Sequence, residues 1–345
     1  MPSPIPPNTP HTAAPDRYER LPYRRTGTSG LRLPAFSFGL WQKFGTAHPY
    51  ATQRDIVLRA FDLGITHFDN ANRYGPPHRA AEKFFGTVLS RDLAPYRDEL
   101  ILSTKAGNPI GPSPYQRGAS RKSLLASLDH SLRDLRTDRV DIFYSHSPDP
   151  ETPLEETVGA LVSAVTSGKA LYVGLSNYPP ELAHRAVELL QAAGVPLLVH
   201  QPRYSLFDRR PELDGLLDLA AQDGFGLVVY SPLAQGLLTD KYLGATIPAG
   251  ARALDSAFLS PDTIDDTYRE RAGALNQIAL ERGQSLAQLA LQWVLRRPEV
   301  TSALIGASSV AQLEHNTRAL EFPALTEAEL LLIDKHAVHG TALKL

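Results

Sequence analysis

The chain contains no cysteine. That excludes disulfides, thiolate catalysis and cysteine-ligated metal, and it fits a reducing compartment, so a cytoplasmic location is expected. Net charge is nearly absent too, −2 over 345 residues, so neither nucleic acid nor an anionic membrane surface is expected as a partner. No apolar run approaches the roughly 20 residues of a membrane span. A Gly-x-Gly-x-x-Gly turn is missing, which argues against a doubly wound dinucleotide fold.

What is present reads as a soluble globular chain, 43% hydrophobic and 21% charged. The first fifteen residues carry six prolines and no apolar h-region, so residues 1–21 are expected to form a disordered tail and not a signal peptide. Residues 22–338 then form one domain, with a short tail over 339–345. Alternation around Gly27-Thr28-Ser29-Gly30 predicts a hairpin over 23–34. Eight short apolar runs follow, over 36–41, 66–71, 100–105, 140–146, 170–177, 197–201, 226–233 and 302–306.

Between these runs the apolar spacing becomes helical, as in Leu124, Leu125, Leu128, Leu132 and Leu135. Thr152-Pro153-Leu154-Glu155 predicts a capped helix start, with Thr152 as the cap, and Thr326-Glu327-Ala328-Glu329 repeats the signal. Eight strand–helix alternations without a linker predict an α/β fold, a (β/α)8 TIM barrel. The irregular stretch from Lys241 to Asp265 would lie over the barrel mouth as a flap.

Chemistry in such barrels sits at the strands' carboxyl ends. There the chain places Trp41, Asp69, Lys105, His146, Ser176, Asn177, Gln201, Tyr230 and Ser231. Lys105 closes an apolar run, so its charge needs a partner, and Asp69 on the neighbouring strand is the obvious one. Tyr74 lies five residues past Asp69, in a loop ended by Gly75-Pro76-Pro77. A cation beside a phenol is expected to lower its pKa. Tyr74 would then give a proton to a carbonyl oxygen, with His146 orienting that oxygen and a cofactor supplying hydride.

Blander readings stand beside this one. Asp69 and Lys105 alone are as readily a structural ion pair. His67, Asp69, His146 and His200 could form a metal site, but no His-x-His cluster is present and Lys105 competes for the aspartate, so no metal is expected.

These residues, in this order, resemble the aldo-keto reductase family from about Tyr23 to about Ile333. The likeness extends to the branch of bacterial L-glyceraldehyde 3-phosphate reductases, itself related to voltage-gated potassium channel β-subunits. Residues 61–69, 124–129 and 168–174 carry that closer likeness.

The resemblance implies a catalytic tetrad of Asp69, Tyr74, Lys105 and His146, with Tyr74 and His146 facing substrate; Trp41, from its place closing the first run over the mouth, reads either as core or as a wall of the substrate pocket. The resemblance also implies NADPH, held by Trp41, Asp69, Ser176, Asn177 and Gln201, with Tyr230 beneath the nicotinamide. Ser231, Pro232, Leu233, Ala234, Gln235, Gly236, Leu238, Lys241 and Arg252 correspond to the pyrophosphate loop. Gly306, Ser308, Gln312 and Asn316 correspond to the adenosine segment.

Two departures bear on cofactor choice. Ser309 stands where that branch often has the arginine that grips the NADP 2′-phosphate, and His315 where a glutamate meets adenine. NADH is therefore the alternative cofactor. The expected partner is a small carbonyl substrate, and the relatives leave a homo-oligomer open. The alternative function is a nucleotide-binding regulatory subunit like the channel β-subunits. Those commonly carry asparagine at the position of His146.

Overall fold

In a computed structural model, residues 10–244, 246–248, 251–255 and 259–342 are described, without the side chains of Arg252 and Asp255. Eight parallel strands close into a barrel: β1 (Phe36–Gly39), β2 (His67–Asp69), β3 (Ile101–Ala106), β4 (Val140–Ser145), β5 (Ala170–Ser176), β6 (Leu197–Gln201), β7 (Gly226–Val229) and β8 (Val300–Ile305). Neighbours pair in chain order, and β8 closes on β1 through Ala303 opposite Phe36. Strands covered on both faces are mostly apolar along their whole length, which is why each reads as a run and not as an alternation.

The main helices outside the barrel are α1 (Tyr50–Asp62), α2 (Ala80–Val88), α3 (Arg121–Leu135), α4 (Leu154–Thr166), α5 (Pro180–Ala192), α6 (Leu216–Asp223), α7 (Asp266–Glu281), α8 (Leu286–Val294), α9 (Val310–Thr317) and α10 (Glu327–Asp334). The hairpin forms as expected, Tyr23–Arg25 antiparallel to Arg32–Pro34. Its Leu31 and Leu33 pack into the cluster of Ile142, Tyr144, Val199 and Val228, so the hairpin floors the barrel. Chemistry is left to the opposite end.

The expected seventh strand, 226–233, stops at Val229. Ser231 adopts φ 54° and Pro232 has no N–H to give a ladder. The first strand ends at Gly39, so Trp41 lies in the loop beyond it, partly buried against the main core.

Three expectations are corrected. Residues 10–21 are packed against the barrel and are not a disordered tail. His11 Nε2 and the Ala14 N–H both reach Asp62 Oδ1, at 2.8 and 2.9 Å, and Leu21 is buried. Residues 339–342 are packed as well: the Gly340 N–H donates to the Phe207 carbonyl at 3.0 Å. Thr152 does not cap α4: the helix starts one residue later, so Pro153, which has no hydroxyl to offer, holds the cap position, and the Thr152 hydroxyl donates to Asp149 Oδ2 at 2.6 Å. Thr326 and Glu329 do form the capping box at α10.

Candidate active site

Register brings the polar residues to one end of the barrel. Asp69 is the last residue of β2 and pairs with Ser103 of β3; Lys105 pairs with Tyr144 of β4. His146 follows β4 directly, Ser176 ends β5 opposite Gln201 at the end of β6, and Tyr230 follows β7.

Lys105 is fully buried, and all three of its N–H donors are used. Nζ donates to Asp69 Oδ2 at 2.5 Å, to the Asn70 carbonyl at 2.9 Å and to Tyr74 Oη at 3.3 Å. The Tyr74 oxygen thus accepts from Lys105, and its own hydrogen remains to be given to something else. The His146 ring stands edge-on to Tyr74, centroids 6.0 Å apart. Gly174 makes room for this arrangement: a Cβ there would meet the Tyr144 ring at 2.4 Å, and that ring lies 5.4 Å from Lys105 Nζ.

The expected lowering of the phenol pKa is not found. Burial, and after it the Asp69 carboxylate, push Tyr74 well above the usual tyrosine value. The ammonium beside it is already matched by Asp69. Tyr74 is therefore a neutral, proton-bearing phenol across the neutral range, which suits a donor. Burial lowers Lys105, with Asp69 working against it. Burial, then Lys105, lower His146 to about 3, so its imidazole is neutral; its Nδ1 has no partner among the described residues.

The residues expected around the nicotinamide are joined to this centre. Gln201 Nε2 donates to Asp69 Oδ1 at 3.2 Å, and Ser176 Oγ to the Gln201 carbonyl at 2.9 Å. Asn177 Nδ2 donates to the His146 carbonyl at 3.0 Å, and Tyr230 Oη to Asn177 Oδ1 at 2.8 Å.

Farther out, Ser231, Ala234 and Gln235 line a cleft with about 490 Å³ of free space, counting its mouth, together with Arg203, Ser260 and Thr263. Asn177, Ser231, Ala234 and Gln235 all adopt positive φ, between 46° and 62°. Such strain in non-glycine residues gathers at ligand sites. Pro232 and Leu238 are buried, and Leu233 packs against the core. Gly236 has φ 102°, and Lys241 is exposed on the turn after the loop. The Arg252 side chain lies outside the described residues.

At the end of β8, Gly306 is exposed, and the Ser308 N–H and hydroxyl both donate to Gln312 Oε1, at 2.9 and 3.1 Å. Ser309 caps α9, and His315 Nε2 lies 2.8 Å from Ser285 Oγ. Gln235 Oε1 and Asn316 Nδ2 are buried without a partner among the described residues. Orphaned polar atoms of this kind fit a bound polar cofactor.

Among the described residues, no group of three His, Asp or Glu side chains gathers as a metal site. No helix of the described residues is long and apolar enough to cross a membrane. The sequence reading missed Ser103, whose hydroxyl donates to Asp69 Oδ1 at 2.7 Å, and Arg203 in the cleft. Ser103 was visible in principle, two residues from Lys105 on the same strand face.

A closed parallel barrel with a lysine–carboxylate–phenol centre at its strand ends defines a barrel enzyme of the oxidoreductase class. Residues 35–338 match the profile of the Aldo/keto reductase family, and the chain belongs to that family. It is 51% identical over 332 residues to an Escherichia coli (strain K12) protein described as L-glyceraldehyde 3-phosphate reductase, covering 95% of this chain and 96% of that one. It is 37% identical to a probable voltage-gated potassium channel subunit beta of Oryza sativa subsp. japonica, covering 89% and 93%. A holo-form aldo-keto reductase from Bacillus halodurans superposes with a TM-score of 0.75 at 26% identity, covering 93% of this chain and 99% of that one. Membership implies use of a nicotinamide cofactor and action on small carbonyl substrates.

Proposed function

We propose that the chain reduces aldehyde or ketone carbonyls to alcohols with NADPH, in the cytoplasm, with Tyr74 as the proton donor. The observation that carries this is the Tyr74 hydroxyl 3.3 Å from an ammonium that is itself held by Asp69. When bound, the reduced nicotinamide supplies hydride. Ser176, Asn177, Gln201 and Tyr230 would hold its amide end, and the loop from Ser231 to Leu238, with Gln312 and Asn316, the rest.

The protein's own part is acid catalysis and positioning. Neutral Tyr74 and neutral His146 each offer a hydrogen to the carbonyl oxygen. Lys105 stabilises the phenolate left after Tyr74 has given its proton, and Asp69 holds Lys105 in place.

The name of the Escherichia coli relative suggests a short phosphorylated aldehyde as substrate. Arg73 supports this. It adjoins Tyr74, is exposed, and among the described residues its guanidinium has no ion-pair partner, while its charge reaches His146. NADPH oxidation should be followed with glyceraldehyde 3-phosphate and with glyceraldehyde, and repeated with NADH. Arg73→Gln should weaken kcat/KM about tenfold for the phosphorylated aldehyde and leave the neutral one unchanged. Equal loss on both would remove Arg73 from substrate recognition. NADPH binding without oxidation across a carbonyl panel would favour the regulatory-subunit reading instead.

A further inference from the structure

The tetrad ends at Asp69, but its hydrogen bonds continue down the barrel axis. Behind Ser103, His67 Nε2 lies 3.0 Å from Ser103 Oγ. His67 Nδ1 lies 2.8 Å from Ser37 Oγ, and Ser37 Oγ lies 2.6 Å from Ser302 Oγ. Asp69, Ser103, His67, Ser37 and Ser302 are all at 0% exposure and come from four adjacent strands, β3, β2, β1 and β8.

The direction of every proton follows. An ionised carboxylate only accepts, so Ser103 donates to Asp69. A hydroxyl has one hydrogen, so Ser103 must accept from His67, which therefore carries its proton on Nε2. Burial holds the imidazole near a pKa of about 4, so at neutral pH Nδ1 is bare. Ser37 donates to Nδ1, and Ser302 donates to Ser37. Four donors thus point one way, towards Asp69, and aligned hydrogen bonds polarise one another. Oδ1 receives this line and the Gln201 amide, leaving Oδ2 to Lys105.

We infer that His67 is a positioning residue for carbonyl reduction: with Ser103, Ser37 and Ser302 it forms a one-way line that fixes the rotamer and charge of Asp69, and through it the seat of Lys105. Its role in turnover rests on the proposed reductase reading; the tautomer stands without it. The titratable groups facing this centre are Lys105 and Tyr144 from β3 and β4, Tyr74 and His146 from the loops, and Glu82, which reaches Lys105 from α2.

The first test is the 15N spectrum of the His67 imidazole in the full-length protein, assigned by its loss in His67→Leu. The expected result is Nε2 protonated and Nδ1 bare throughout, from about pH 5.5 to 8.5. The opposite tautomer, or titration at the ordinary histidine value, overturns the inference.

The second test is kinetic. His67→Leu and Ser103→Ala should each lower kcat about tenfold, while the affinity for NADPH stays within about twofold. The acid limb of kcat should move up in both, furthest in Ser103→Ala, where the carboxylate loses a donor outright, and less in His67→Leu, where Ser103 still donates and only the bond that polarises it is lost. His67→Gln, which keeps a donor and an acceptor, should recover most of the rate. A lower melting temperature with an unmoved pH profile makes His67 a packing residue only. Should His67→Leu fail to fold, Ser302→Ala at the far end should move the limb the same way by less, and no movement there also overturns the inference. If the wild type reduces no carbonyl, the reductase reading fails while the tautomer measurement still decides.

Discussion

The Lys105–Asp69 pair inside the barrel and the loop at its rim satisfy their polar groups in opposite ways. Inside, Lys105 uses all three donors, and Asp69 accepts from Lys105, Ser103 and Gln201. At the rim, Gln235 Oε1 and Asn316 Nδ2 are buried with no partner among the described residues, and the loop that carries Gln235 is held at positive φ. The Lys105–Asp69 pair is complete before any ligand arrives, while His146 Nδ1 beside it, like the rim atoms, has no partner among the described residues. The rim is built to be completed by a ligand. Acid chemistry needs fixed charges at fixed distances, whereas a cofactor that comes and goes needs partners left over for it.

Breaking the interior should have the largest effect. Lys105→Met leaves Asp69 buried and uncompensated, so it should cost about 3–5 kcal/mol of stability as well as turnover. Urea unfolding and NADPH consumption measure the two losses, and a fully stable variant would show that the pair is not matched as described.

Breaking the rim should leave folding alone. Gln235→Ala and Asn316→Ala should each weaken NADPH affinity about tenfold, with melting temperature nearly unchanged in the absence of cofactor, since among the described residues neither atom has a partner to lose. Fluorescence titration with NADPH gives the affinity. A stability loss without an affinity loss would reverse the comparison.

The two regions also differed in how much of them could be read from the sequence. Asp69, Lys105 and His146 were legible because charged or polar residues interrupt apolar runs at strand ends, where burial forces them to pair. The sign of the Tyr74 shift was not legible. It depends on how far the Lys105 charge is cancelled by Asp69, which spacing does not reveal. Ser37, Ser103 and Ser302 were passed over because serine carries no periodic signal, although strand alternation puts Ser103 on the face of Lys105. The inner end of the amino-terminal tail was misread for a related reason: Asp62 at the end of α1 captures His11 and Ala14, and nothing local announces a contact across about fifty positions. Ser231 marks the limit at β7, where an apolar run continues past the point at which the backbone turns left-handed.

The central claim is that a neutral phenol, seated by an ammonium–carboxylate pair, delivers the proton. Tyr74→Phe tests it most directly, with NADPH affinity and steady-state reduction of a neutral aldehyde measured side by side. The account predicts affinity within about twofold of wild type and a kcat lower by about 10²- to 10³-fold. Reduction at the wild-type rate by that variant would contradict it.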